Sequence, residues 1–201
     1  MIKTITFDFG GVLYAYDEIP LIKTLAERSD ASLVQMKEAL SGSQLDRAHF
    51  RGELEASTLL ERLKERINLR MSVDELADTY ARCVTPNEDI FKLVERLHTN
   101  YNLQLYSDTP KLLYDHVMTK MPVFGYFSAK TLSFEVGELK DSEAGYLDMI
   151  EKSRHTPGEI AFIDDREEYA MMARELGVNG IQYSNTEKLT EDLKQLDVEI
   201  A

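Results

Sequence analysis

Three apolar segments of this chain each run into an aspartate: Ile2-Lys3-Thr4-Ile5-Thr6-Phe7 into Asp8, Leu103-Gln104-Leu105-Tyr106 into Ser107-Asp108, and Ile160-Ala161-Phe162-Ile163 into Asp164-Asp165. β-Branched and aromatic residues favour strands, and the Gly10-Gly11 pair stops the first one. Near-continuous apolar strands are those of a parallel sheet covered on both faces. The carboxyl ends of such strands share one edge, where open α/β sheets bind ligands. The chain is therefore constrained to a fold that brings these carboxylates to a single crevice.

Between the first and second of these segments the periodicity is helical. Residues 17–28 carry Leu21, Ile22 and Leu25 at helical spacing. Asp30 or Ser32 caps a second helix with Leu33, Met36 and Leu40 inward, and Ser41-Gly42-Ser43 ends it. A short piece over 43–50 stops at Gly52, and 53–67 is amphipathic through Leu54, Leu59, Leu60, Leu63 and Ile67. Ser72 caps a helix that has acids in its first turn and runs through Leu76 and Tyr80 toward Cys83. Residues 14–85 thus read as an all-helical block without a strand. From Asn87 onward helix and strand alternate, with strands at 103–106, 159–163 and 179–183, helices between them, and an apolar crossover at 123–129. The expected architecture is α/β: a Rossmann-like doubly wound parallel sheet from residues 1–13 and 86–201, with an all-α helical bundle inserted at 14–85.

The 201 residues suit one domain with an insertion, and 43% hydrophobic content suffices for a core. A net charge of −13 argues against nucleic-acid and anionic-membrane partners, which require clustered Lys and Arg. The lone Cys83 allows no intrachain disulfide and points to a reducing compartment. No leader-like or membrane-length apolar run is present, so a cytoplasmic monomer or homodimer is expected. Four scattered histidines and one cysteine make no zinc site.

Carboxylates gathered at strand tips repel one another and raise one another's pKa unless a cation sits between them. Their hard oxygens suit Mg²⁺. Asp8 beside a metal keeps one oxygen free to attack an electrophile, and the Ser107 hydroxyl adds a donor. That set fits phosphoryl transfer, which rests on positioning and charge neutralisation. Lys140, after Gly137-Glu138-Leu139, is placed to reach back to a phosphate.

Four segments carry a resemblance. Phe7-Asp8-Phe9-Gly10-Gly11-Val12-Leu13, Leu105-Tyr106-Ser107-Asp108-Thr109, the stretch from Ser133 to Lys140, and Phe162-Ile163-Asp164-Asp165-Arg166-Glu167 resemble, in order and spacing, the motifs of the haloacid dehalogenase-like hydrolase superfamily. The helical insertion is similar to that superfamily's small helical-bundle cap. The resemblance implies an aspartyl-phosphate on Asp8. It also implies hydrogen bonds to the phosphoryl group from Ser107 and the Asp108 backbone N–H, and neutralisation by Lys140. Mg²⁺ would be held by Asp8, the Gly10 carbonyl and Asp165 supported by Asp164, and the cap would select the leaving group. The implied function is a Mg²⁺-dependent phosphatase acting on a small phosphorylated metabolite of the sugar-phosphate class. Alternatives on the same fold are a weak or inactive binding or regulatory protein, and a 2-haloacid dehalogenase, which needs no metal and is disfavoured by Asp164-Asp165.

The chain departs from the pattern at three positions. Gly10 stands where the family's phosphatases usually carry a second Asp, a general acid/base whose absence costs ~10²–10⁴-fold. The resulting D-x-G-x-V motif resembles a branch that includes sugar-1-phosphate phosphatases. Asp141 replaces a proline and is an acid placed to pair with Lys140, and Tyr169 replaces an asparagine. Tyr14, Tyr16, His49 and Arg51 are candidates for substrate contact that read chiefly as surface or packing residues.

Overall fold

The computed structural model describes residues 1–40 and 43–200. Strand β1 (Thr4–Phe7) lies at the centre of a five-stranded parallel sheet. It pairs with β4 (Asn102–Ser107) on one side, Thr4 opposite Asn102, and with β6 (Ile160–Asp164) on the other, Thr4 opposite Ile160. β5 (Phe127–Leu132) extends the sheet beyond β4, and β7 (Asn179–Gln182) extends it beyond β6. The order β5-β4-β1-β6-β7 reverses direction at β1, which makes β1 the topological switch point. All four β1 side chains are buried. The two threonines among them are satisfied: Thr4 Oγ1 meets His155 Nδ1 at 2.8 Å, and Thr6 Oγ1 donates to Gln104 Oε1 at 3.3 Å.

The connections are helical: α6 (Glu88–Leu97), α7 (Lys111–His116), α8 (Ser133–Val136), α9 (Ala144–Ser153), α10 (Glu167–Glu175) and α11 (Thr186–Gln195). α6 buries Ile90, Phe91, Leu93, Val94 and Leu97 in the same core as Ile5, Phe7 and Leu103. This is the expected Rossmann-like α/β sheet. The reading of 123–129 as a crossover is corrected: β5 begins at Phe127 and runs to Leu132. Ser128 is exposed and Lys130 half-buried on this edge strand, so the segment lacks the apolar run that marks the buried strands.

The insertion contributes α1 (Ile19–Glu27), α2 (Leu33–Leu40), α3 (Gln44–Phe50), α4 (Ala56–Ile67) and α5 (Val73–Arg82). The break assigned to Ser41-Gly42 lies outside the described residues. α5 starts with a capping box in which Ser72 Oγ accepts from the Glu75 backbone N–H, and the Glu75 carboxylate accepts from the Ser72 N–H. The block is not free of strands. β2 (Tyr14–Tyr16) and β3 (Val84–Pro86) pair antiparallel, Ala15 opposite Thr85, where the chain leaves and re-enters the sheet domain. Three residues apiece are too few to show a period of two. Hydrogen bonds from Asp17 N to Cys83 O and from Asn87 N to Leu13 O, 2.8 and 3.0 Å, extend the ribbon at both ends.

Candidate active site

Asp8 follows the last residue of β1, its backbone N–H donating to Ile163 O at 2.9 Å. Ser107 ends β4, and Asp164 ends β6. The three strand tips therefore meet at the switch point, as the sequence implies. Lys140 reaches them from beyond α8, which closes on Gly137 in the left-handed region at φ 82°. Its ammonium lies 2.7 Å from Asp8 Oδ1 and 2.7 Å from Asp164 Oδ2. Its backbone N–H is shared between both Asp108 carboxylate oxygens at 3.1 Å. The rings of Tyr106, Phe162 and Tyr169 surround the ammonium, their centroids 5.1, 5.5 and 5.6 Å away. Lys140 is 1% exposed, Asp164 0% and Asp8 8%, so the cluster is withdrawn from water.

Burial, reinforced by Asp164 and Asp165 and opposed by Lys140, pushes the Asp8 carboxyl up to about 8. Burial disfavours the Lys140 ammonium, but Asp8, Asp164 and Asp108 outweigh it and hold its pKa well above the ordinary lysine value. Asp165 is raised by burial and by Asp164, and Asp108 chiefly by burial. The site thus sets the carboxylates of Asp8, Asp164 and Asp165, whose oxygens lie within 4.8 Å of one another, against one ammonium. Hard oxygen donors in negative excess suit a divalent cation, so the donor set fits a metal of the Mg²⁺ type.

The glycines after Asp8 differ in role. Gly11 has φ +77°, and a Cβ there would lie 2.3 Å from Asp165 Cγ, so only glycine leaves room for that carboxylate. Gly10 has an ordinary φ, and the nearest heavy atom to a Cβ built there would be Tyr16 Cβ at 4.0 Å.

A cavity of about 430 Å³ opens over Asp8 between the strand tips and the insertion. Asp8, Gly10, Asp108, Lys140 and Asp165 line it, whereas Ser107 and Asp164 do not. Ser107 is buried, and its hydroxyl donates to the Asp108 carbonyl over a long 3.4 Å. Asp141 does not pair with Lys140. It takes Arg47 of α3 at 2.6 Å, a half-exposed bridge from the insertion to the sheet domain. Tyr169 lines the cavity, its hydroxyl accepting from Arg166 Nη1 at 2.8 Å.

Of the aromatic and charged candidates at the hinge and insertion, Tyr16 lines the cavity. Tyr14 stacks on Phe9, His49 is buried, and Arg51 pairs with Glu53 at 3.1 Å. Sequence reasoning passed over Glu18, Asp46, Phe50 and Tyr80, which also face the cavity. The available signal was Asp46 sharing a face with Phe50 one helical turn later.

With that geometry in place, the family is plain: the chain belongs to the haloacid dehalogenase-like hydrolases, whose family model matches residues 2–177. It is 24% identical over 202 residues to a D-ribitol-5-phosphate phosphatase of Bacteroides thetaiotaomicron, covering 92% of this chain and 93% of that one. A protein of Porphyromonas gingivalis described as a predicted HAD-like family hydrolase superposes with TM-score 0.85 at 24% identity over 99% of both chains. A HAD family enzyme of Bacteroides thetaiotaomicron, solved in complex with magnesium and inorganic phosphate, superposes with TM-score 0.81 at 20% identity, covering 92% of this chain and 95% of that one. No described helix is long and apolar enough to cross a membrane.

Proposed function

We propose that this hydrolase is a Mg²⁺-dependent phosphatase that cleaves a small sugar or polyol phosphate through an aspartyl-phosphate on Asp8. The observation that carries it is the buried Asp8–Lys140–Asp164 chain, with Asp165 within metal-sharing distance and a cavity opening directly over Asp8. The D-ribitol-5-phosphate phosphatase relative supports the substrate class, and the magnesium and phosphate complex of the structural neighbour supports the metal.

On this reading a carboxylate oxygen of Asp8 attacks phosphorus as the bond to the ester oxygen breaks, and the leaving alkoxide takes up a proton from water. Water then attacks the acyl phosphate, releasing inorganic phosphate and restoring Asp8. Lys140 opposes the burial that raises Asp8, favouring its ionised form, and meets the charge of the incoming phosphate. The Ser107 hydroxyl, held only by a long contact to a neighbouring carbonyl, turns to donate to a phosphoryl oxygen, and the Asp108 backbone N–H donates alongside it. Asp8, Asp165, the Gly10 carbonyl and, behind them, Asp164 would hold Mg²⁺. Bound there, the ion supplies neutralisation of the carboxylates and polarisation of the phosphoryl group. The insertion (residues 14–85), acting as a cap, closes the site from water and reads the leaving group.

The test is phosphate release from a panel of sugar and polyol phosphates with magnesium present. Wild type is expected to turn over at least one of them. Asp8→Asn, which keeps the shape of the side chain, should lose turnover while retaining the wild-type circular dichroism spectrum. A folded, magnesium-supplied wild type that releases phosphate from no ester would sink this reading.

A further inference from the structure

Resting on the phosphatase reading, we infer that Ser133 is a positioning residue, whose one hydroxyl sets the register between the phosphate loop (residues 107–109) and the insertion's wall of the cavity. β2 and β3 join the insertion to the sheet domain at one end, so the wall over Asp8 needs a second tie. Ser133 supplies it from the first position of α8, where it is 0% exposed. Its Oγ accepts from the Thr109 backbone N–H at 2.9 Å. The same oxygen lies 2.7 Å from the Phe50 carbonyl and 3.2 Å from the Thr109 carbonyl. A hydroxyl has a single proton to give, and the shorter contact directs it to Phe50.

Both partners belong to the walls of the cavity. Thr109 directly follows Ser107 and Asp108, which serve the phosphoryl group in the proposed reaction. Phe50 closes α3, and its side chain lines the cavity. Its carbonyl is among those that a helix leaves unbonded at its C-terminal end, so it is open to a donor from outside. Gly52 lets the two main chains meet. Its φ is +71°, and a Cβ there would lie 2.4 Å from the Phe134 carbonyl oxygen. At the far end of the same segment, the Lys140 N–H is held by the Asp108 carboxylate. Residues 133–140 are thus fastened to the phosphate loop at both ends, and Ser133 carries the fastening across to α3.

Two ion pairs also cross between insertion and sheet domain, Arg47 with Asp141 at 2.6 Å and His116 with Asp78 at 3.2 Å. Both are accessible to water and weaken with salt. The Ser133 bonds are withdrawn from water, where an unpaired polar group is costly. Removing the hydroxyl frees the Thr109 N–H and the Phe50 carbonyl together, and the wall loses its fixed distance from the loop. An ester whose leaving group rests on Phe50 then loses its alignment with Asp8. Acetyl phosphate, with two carbons in its leaving group, makes least use of the wall.

The experiment compares acetyl phosphate with the sugar or polyol phosphate that wild type turns over fastest. Ser133→Ala should lower the ratio of their kcat/KM values, sugar ester over acetyl phosphate, by about ten-fold or more, the loss falling on kcat. An unchanged ratio, as a general loosening of the fold would give, or a loss carried by KM alone overturns the inference. Phe50→Ala removes the wall's side chain and should lower the same ratio. Added to Phe50→Ala, Ser133→Ala should change the ratio by less than about two-fold, because its route to the leaving group is already gone. Full additivity of the two substitutions overturns the inference as well. Should the alanine variant fail to fold, Ser133→Cys keeps the side chain's shape with a weak donor, and the same ratios are read from it. Failure of wild type to hydrolyse any ester would strike the phosphatase reading instead. The register is then read by hydrogen exchange in wild type and the Ser133 variant. Thr109 and residues 51–54, whose N–H groups bond back onto α3, should lose protection together by about ten-fold or more. Loss of protection at Thr109 alone refutes the coupling.

Discussion

Gly10 is where the chemistry of this chain and the geometry around it part company. The position two residues after Asp8, the proposed nucleophile, is where the family's phosphatases usually carry the acid that protonates the leaving oxygen, yet nothing in the fold demands a glycine there. A Cβ at residue 10 would find its nearest neighbour at 4.0 Å, whereas one at Gly11 would strike the Asp165 carboxylate. Gly10→Asp is therefore expected to fold normally and to accelerate alkyl phosphate hydrolysis by up to ~10²-fold, within the range for a general acid. Aryl phosphates, whose leaving groups need no proton, should gain little. The check is the ratio of alkyl to aryl kcat for the two proteins, and an unchanged ratio rules the role out. The sequence carried this much of the site because Asp8, Lys140 and Asp164-Asp165 are defined by strand ends and loop glycines, which are local signals. It did not carry the partner of Asp141. Lys140 was the neighbour in the chain, but Lys140 is already shared by Asp8 and Asp164, and Arg47 arrives from 94 residues away.

At the scale of elements, the long amphipathic helices and the buried strands were legible because each shows several repeats of its period. β2, β3 and the edge strand β5 were not, because three residues or a half-exposed face leave too little pattern. The lining of the cavity was hidden for a different reason. A helix face that looks into an enclosed space has the same mixed composition as one that looks into solvent. α3 illustrates both sides of this. It presents Asp46 and Phe50 to the cavity while burying His49, whose Nδ1–H donates to Leu54 O at 2.8 Å and whose Nε2 is buried with no hydrogen-bond partner among the described residues. Burial holds the His49 pKa below its usual value. The unfolded chain then binds more protons than the folded one below about pH 6.5, so the contribution of His49 to stability is present above that pH and lost as pH falls through it. Melting temperatures of wild type and His49→Phe at pH 7.5 and 5.5 should diverge, wild type losing more on acidification. Contributions from Asp8 are common to both proteins and cancel. Parallel curves would show that His49 does not titrate in this window.

Over the whole molecule, an acidic chain folds so as to concentrate carboxylates at the switch point of its sheet, and the stability of the fold becomes linked to what neutralises them. The net charge of −13 adds a diffuse negative background, and the cluster adds a local one. In the absence of metal, Asp8 is raised to about 8 from an unfolded value near 3.8. Between those values the folded state holds a proton that the unfolded state has released, so the contribution of Asp8 to stability is present at the acid end and lost as pH rises through about 8. At the proposed metal site magnesium would compete with that proton for the Asp8 oxygens, so its binding would release a proton below about pH 8 and meet progressively less competition above it. Since a ligand of the native state stabilises it by an amount that grows with the logarithm of its concentration over its Kd, the rise in melting temperature caused by a fixed magnesium concentration should be distinctly larger at about pH 8.5 than at about pH 6. Asp165→Asn should abolish most of the rise at both pH values. Calorimetric titration in two buffers of different ionisation enthalpy should register close to one proton released at about pH 6 and markedly less at about pH 8.5. A magnesium shift that is the same at both pH values would mean that the proton and the metal do not share Asp8, and the metal would then have to be placed on Asp164 and Asp165 alone.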